Sequence, residues 1–219
     1  MTSIITTEDE LRAIVGSPIP RVAEKVLTRL GEVHRDWIAA SRFVALATSS
    51  SDGRCDVSPK GDPAGFVHVL DDRTVVVPER PGNRRVDGYL NVLANPHVGL
   101  LFLIPGRTDT LRVNGSARVV GDAPWFDDLV VKGTKGTKST KSTKSTKGTR
   151  PILALEVSVE EVFFHCSKAF LRGALWQPET WDPEAVPSRA QIAHLLERPD
   201  ETIEDLEKYY GPHYAENLY

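Results

Sequence analysis

Two arginines stand where a helix is expected to begin. In PERPGNRRVDGYLNVLANP (residues 78–96), Arg84 and Arg85 follow Gly82 and Asn83 and precede a short helical pattern. A helix start presents unpaired N–H groups and a partial positive charge, which favour an anion. Guanidinium groups add charge-assisted, bidentate hydrogen bonds to phosphate oxygens. Together they suit a phosphate monoester carrying about −1.5 to −2 charges. Upstream, DVSPKGD supplies Lys60 on a strand expected to lie close by. A second reading stays open at this point, in which Arg84 and Arg85 pair with surface acids such as Asp87.

A second gathering of polar groups lies in FFHCSKAFLRGALW (residues 163–176). His165, Lys168 and Arg172 sit among Phe163, Phe164, Phe170, Leu171 and Trp176. On a helix, Lys168 and Arg172 would share a face at i, i+4 spacing. His165, with an unperturbed pKa of about 6.5, is a candidate acid or base. The alternative is a structural cap over one end of the fold, with His165 satisfied by backbone groups. Cys166 reads as a small buried residue rather than a nucleophile.

Other chemistries lack their motifs. There is no GxGxxG after a strand, no GxxxxGK[ST], no HExxH and no GxSxG. The six histidines show no paired metal-ligand spacing, so no metal site is expected. The acidic start MTSIITTEDELR lacks the pattern of a secretory signal, and Cys55 and Cys166 read as free thiols of a cytoplasmic protein. The longest apolar run, VGLLFLI (98–104), is too short to span a bilayer, so no membrane association is expected.

The elements that must position these groups follow from periodicity. TTEDELRAIVG has an N-cap threonine and a closing glycine. IPRVAEKVLTRLGEVHRDWIAAS places Val22, Val26, Leu30, Val33, Trp37 and Ala40 at helical spacing, which predicts one buried stripe. From Arg42 the period becomes that of strands: FVALATS, the turn SSDG, then RCDVSPKG. GFVHVL and TVVVPE form a hairpin across DDR. PHVGLLFLI, DTLRVNGSARVVG and PILALEVSVEEVFFHC follow, with Asn114-Gly115 expected as a turn or a bulge. Residues 188–210 read as helical. The sum is a mainly β fold with flanking helices, six or seven antiparallel strands closing into a small barrel. Its segments are a helical one at 1–41, barrel at 42–131 and 150–187, and a helical one at 188–219.

Between them, residues 132–149 repeat K-[GS]-T. Such a run repels itself and has nothing to bury, so it reads as a solvated loop. An electrostatic arm for RNA, anionic lipid or an acidic partner is the other reading, though no aromatic residue interleaves it for base stacking. The formal charge of −3 hides this segment: without the seven basic residues from Lys132 to Arg150, 20 basic residues face 30 acidic ones. That balance argues against general nucleic-acid binding.

The ordered set of a strand pair, a basic helix start, LANPHVGLLF and a glycine-bearing strand resembles the pyridoxamine 5′-phosphate oxidase-like flavoproteins. The likeness covers Arg42 to Val120 and resumes at PILALEVSVEEVFFHCSKAFLRGALWQPETW. It implies a split barrel that binds FMN at a homodimer interface and acts as an oxidoreductase on a small molecule. By this resemblance Asn83, Arg84 and Arg85 hold the FMN phosphate, and Ser58, Lys60 and Gly61 line the ring and phosphate. Pro78 and Glu79 are further flavin contacts, and Thr110 and Arg112 reach the ring from the other subunit. Lys168 joins Arg112 as a candidate for stabilising the reduced ring, and His165, Lys168 and Arg172 become candidate catalytic groups. Two departures stand out. The oxidases proper have a glutamine where Thr110 and Arg112 lie, and they end in a tryptophan- and arginine-bearing motif where this chain has FFHCSKAFLRGALW. The resemblance therefore implies a side branch with its own substrate. The cofactors F420 and haem, a non-catalytic FMN- or haem-binding barrel, and a polyanion-binding protein are the competing expectations.

Overall fold

The computed structural model describes residues 2–131, 149–166 and 168–216. Alternating apolar residues from Phe43 onward form the strands β1 (Phe43–Ser49), β2 (Cys55–Gly61), β3 (His68–Val69), β4 (Thr74–Glu79), β5 (His97–Leu103), β6 (Asp109–Val120) and β7 (Leu153–Cys166). They join in one sheet of order β2-β1-β5-β6-β7-β4-β3, and every pairing is antiparallel. This is the upper count expected from the sequence. The SSDG turn links β1 to β2, with Gly53 in the left-handed region at φ 84°, where a side chain would be strained.

The period of two sends one set of side chains inward. Val44 and Leu46 of β1, Leu100 and Phe102 of β5, Leu111 and Val113 of β6, and Val75 and Val77 of β4 are fully buried together. In β7 the inward set changes phase. Leu155, Val157 and Val159 are buried upstream, then Val162 downstream. The cause is a bulge: Asn114 of β6 pairs with Glu161 and Gly115 with Val159, which leaves Glu160 unpaired. One extra residue flips every side chain beyond it. Phe164 therefore packs against the core, while Phe163 and His165 turn to the opposite face. The Asn114-Gly115 step is thus a bulge and not a turn.

The helices are α1 (Glu8–Val15), α2 (Pro20–Ala23), α3 (Glu32–Ala40), α4 (Asp87–Ala94), α5 (Lys168–Arg172), α6 (Arg189–Leu196) and α7 (Ile203–Tyr209). α1 has the expected N-cap threonine, Thr7, which forms a capping box with Glu10, yet none of its residues is buried. The single helix read from Val22 to Ala40 is two helices, α2 and α3. Between them Leu27 exchanges backbone hydrogen bonds with Val162 of β7, at 3.0 and 2.7 Å. The edge of β7 is free there because its pairing with β4 ends at Ser158. Satisfying that edge outweighs the helical period, and Val22, Val26 and Val33 are left exposed. The stripe that is buried is His34, Trp37 and Ile38. The 188–210 helix is likewise broken, into α6 and α7, which pack on each other through Ala190, Ala193 and Leu206. The K-[GS]-T repeat, from 132 to 148, lies outside the described residues.

Two outcomes follow. A Cβ on Gly115 would lie 1.9 Å from the Ser158 carbonyl oxygen, so the bulge admits only glycine without moving the backbone. Gly115→Ala is expected to cost about 1–3 kcal/mol, read as a lower urea midpoint at unchanged slope. His34 is 6% exposed, and its Nδ1 accepts the Gly31 N–H at 2.9 Å. Burial holds its pKa below the ordinary 6.5. As pH falls the unfolded chain takes up this proton before the folded one, so stability present above about pH 6.5 is lost on acidification. His34→Gln should flatten that slope between neutral and mildly acidic pH, measured by chemical denaturation.

Candidate functional site

The sheet curls so that β2 and β4, which share no backbone pairing, approach each other. Lys60 Nζ lies 2.5 Å from Glu79 Oε2 across this seam, and Arg80 Nε lies 2.7 Å from Asp62 Oδ2. Both strands carry proline at the seam, Pro59 and Pro78, which cannot donate to a ladder. The seam thus stays open as a cleft of about 440 Å³, closed at one end by the start of α4. That volume lies within the roughly 300–1,000 Å³ of ligand clefts.

Of the residues expected to bind a cofactor, Ser58, Lys60, Gly61, Pro78, Glu79, Asn83 and Arg85 line this cleft. The start of α4 lies directly against its floor. A Cβ on Gly88 would sit 3.6 Å from Thr48 Oγ1 and 3.7 Å from both Asp56 Oδ2 and Ser58 Oγ. No side chain caps this helix, so its first N–H groups are left to an outside acceptor. The loop before it is strained: Arg84 and Val86 have φ of 64° and 42°, unusual for any side chain and most of all for a β-branched one. The Asn83 side-chain oxygen holds this loop by accepting the Arg85 N–H at 3.0 Å.

Each cation on the cleft wall already has an acid. Arg85 bonds to Asp87, as the second reading of the sequence has it, and Arg84 does not line the cleft. The Arg85 side chain is 78% exposed, and an ion pair so open contributes only about 0–1 kcal/mol. A phosphate can therefore displace Asp87 from it. Arg80 is different. It is 12% exposed, and beyond Asp62 it donates to the carbonyls of Thr149 and Leu129 at 3.1 and 2.8 Å. It holds the seam and is not free to grip a ligand.

Tyr89 is the wall residue that sequence reasoning missed. It is 4% exposed, and its hydroxyl makes no hydrogen bond of normal geometry. Burial first, and then the neighbouring Glu79 carboxylate, hold the phenol far above its ordinary pKa of 10.0. Lys60 Nζ lies 5.1 Å from the centre of its ring. A buried, neutral, unsatisfied donor in a cleft wall fits a ligand that brings an acceptor. The one available signal was a hydroxylated aromatic within the first turn of the helix.

The remaining expected residues lie elsewhere. Thr110 pairs with His165 and Arg112 with Phe163 across β6 and β7, and none of these lines the cleft. Thr110 is 4% exposed and donates to the His165 carbonyl at 3.4 Å, so its hydroxyl is committed. Partial desolvation, then Lys25 and Arg112, lower the His165 pKa. Lys168 and Arg172 stand at the two ends of α5 and are exposed, with no hydrogen bond or ion pair to His165. Cys166 is exposed rather than buried. Beyond it, the chain folds back, and Trp176 Nε1 donates to the Arg107 carbonyl at 2.9 Å. Among the described residues no cluster of His, Cys, Asp and Glu is arranged to hold a metal. No described helix is long and apolar enough to cross a membrane.

A curled antiparallel sheet with a seam cleft capped by a basic helix start defines a split-barrel protein. The family model for pyridoxamine 5′-phosphate oxidase matches residues 30–166, and the chain belongs to that family. Solved structures are similar to the chain at low identity. HupZ of Group A Streptococcus is 19% identical over 63% of this chain and 95% of its own, with a TM-score of 0.46. A putative pyridoxamine 5′-phosphate oxidase of Lactobacillus delbrueckii is 23% identical over 63% and 95%, with a TM-score of 0.44. PhzG of Burkholderia lata, solved with tetrahydrophenazine-1-carboxylic acid, is 12% identical over 69% and 86%, with a TM-score of 0.44. No curated sequence matches the chain.

The seam lock is directly testable. Arg80→Met removes the cation of a carboxylate that is 3% exposed and two carbonyl partners, and should destabilise the fold by about 3–5 kcal/mol. Arg80→Lys, which cannot reach three acceptors, should recover only part of that in the same denaturation experiment.

Proposed function

We propose that this protein is an FMN-dependent oxidoreductase acting on a small molecule, with the flavin in the cleft between β2, β4 and the start of α4. The observation that carries the reading is the uncapped helix start beside Arg85, in a cleft whose wall holds the unsatisfied Tyr89 hydroxyl. Arg85, Asn83 and the first N–H groups of α4 would hold the phosphate, and Arg84, outside the cleft lining, would reach it only by a side-chain swing. Ser58, Lys60, Gly61, Pro78 and Glu79 would bound the rest of the cofactor. When bound, the flavin supplies hydride and electron transfer, while the chain binds, orients and tunes it.

Arg112 serves the cleft of a second copy in this reading, while Thr110, buried with its hydroxyl committed, supports β6 from within. By register Arg112 shares an outward sheet face with Val57 of β2, which is 64% exposed. Burying that surface in a homodimer would bring Arg112 toward the partner's cofactor. A cation there stabilises negative charge that develops on reduction. His165 lies on the same face as Arg112, its pKa lowered by partial desolvation and then by Lys25 and Arg112.

The purified protein should be yellow and release FMN on denaturation, as read by absorbance and chromatography. A Soret band would assign haem instead, and a deazaflavin spectrum F420. Arg84→Ala with Arg85→Ala should leave the circular dichroism unchanged and empty the site; retained flavin would defeat the assignment. Asp87→Asn removes the acid that competes for Arg85, and should tighten FMN binding severalfold in a fluorescence titration.

A further inference from the structure

The segment joining α2 to α3 brings a residue to β7 that no motif announces. Leu27 is bridged to Val162, and two residues earlier Lys25 Nζ donates to the Phe164 carbonyl at 2.8 Å. The same ammonium lies 5.2 Å from the centre of the Phe163 ring. The Arg112 guanidinium, arriving from β6, lies 5.3 Å from that ring. His165 stands next along the same face of β7, set there by the Glu160 bulge.

Two half-buried cations and an imidazole thus share one aromatic side chain. Among the described residues neither Lys25 nor Arg112 has a carboxylate within ion-pairing distance, and Arg112 makes no hydrogen bond through its guanidinium. The acids nearest along the strands are already engaged. Glu161 accepts from Asn114 at 2.8 Å, and Asp109 is paired with Arg107 at 2.9 Å. Bringing like charges together costs energy unless an anion joins them.

We infer that Lys25, Arg112 and His165 form an oxyanion-binding site, built by the N-terminal segment together with β6 and β7, for the carboxylate or phosphate group of a small molecule. Lys25 keeps two of its three donors for the anion while its third stays on the Phe164 carbonyl. Arg112 offers the planar fork that suits either oxyanion. His165 donates when protonated, so an anion seated here favours the imidazolium and opposes the lowering that the two cations produce. As the place where a substrate's charged group is held, this site rests on the flavin reading above. As an anion site it does not.

The test follows the His165 ring by NMR in the full-length protein, with the signal assigned by its loss in His165→Gln. Inorganic phosphate or acetate at millimolar levels should raise the His165 pKa by about 0.5 unit or more. Phosphate alone acting would point to a phosphate monoester, and acetate acting as well to a carboxylate. Lys25→Ala with Arg112→Ala should raise the pKa without anion, because the repelling cations are gone, and abolish the response to anion. No anion-dependent shift in the parent protein, or an equal shift in the double variant, would overturn the site. Flavin content measured on the parent protein, which keeps Arg112, separates this outcome from failure of the cofactor assignment.

Discussion

Side chains, not backbone hydrogen bonds, hold the seam of this barrel. Lys60 with Glu79 and Arg80 with Asp62 span the gap between β2 and β4, where Pro59 and Pro78 help to prevent a continuous ladder. A zipped seam would have left no cleft. An unbridged one would have let the two edges part and exposed Val75, Val77 and Phe66 to water. The cleft, the placement of α4 over it and the access to Tyr89 all depend on those bridges. The more buried pair, Arg80–Asp62, serves position more than affinity, since the charges of such a pair are costly to desolvate and their partners are fixed.

A second constraint acts at the far side of the sheet. The unpaired Glu160 reverses the facing of β7, and Gly115 makes room for it against the Ser158 carbonyl. Upstream of the bulge, β7 is ordinary core. Downstream, it gives Phe164 to the core, where it stacks on His34 and meets the edge of Trp37. It gives Phe163 and His165 to the opposite face, beside Arg112. The free edge that remains on β7 captures Leu27 and, with it, Lys25. A single inserted residue therefore determines which side chains are offered outside the barrel, and the end of the β4–β7 pairing determines which segment of the chain comes to meet them.

These two regions differ in how they carry their charge. The cleft carries its charge in compensated pairs, one of them exposed and exchangeable, beside a helix start with nothing to cap it. The β6–β7 region carries uncompensated positive charge around an aromatic ring. The first arrangement suits a ligand that competes for a cation already in use, and the second a ligand that supplies the missing negative charge.

The strands, the SSDG turn and the basic helix start were legible in the sequence because they depend on local chemistry, whereas the Ser58–Gly61 and Pro78–Glu79 segments, Lys60 aside, were singled out by family resemblance alone. Alternation sets strand faces, Gly53 supplies its left-handed turn, and arginines at a helix start have an electrostatic meaning before any fold is known. The limits were equally physical. Nothing local distinguishes the helical period of Val22 to Ala40 from what occurs, because a free strand edge on β7, more than a hundred residues away in sequence, claims Leu27. Tyr89 looked like any aromatic in a helix until burial removed its hydroxyl from water. Lys25 was one lysine among many. Local sequence determined which elements form and which groups could bind an anion; only tertiary structure, through strand-edge pairing and a one-residue bulge, decided which of those groups would meet.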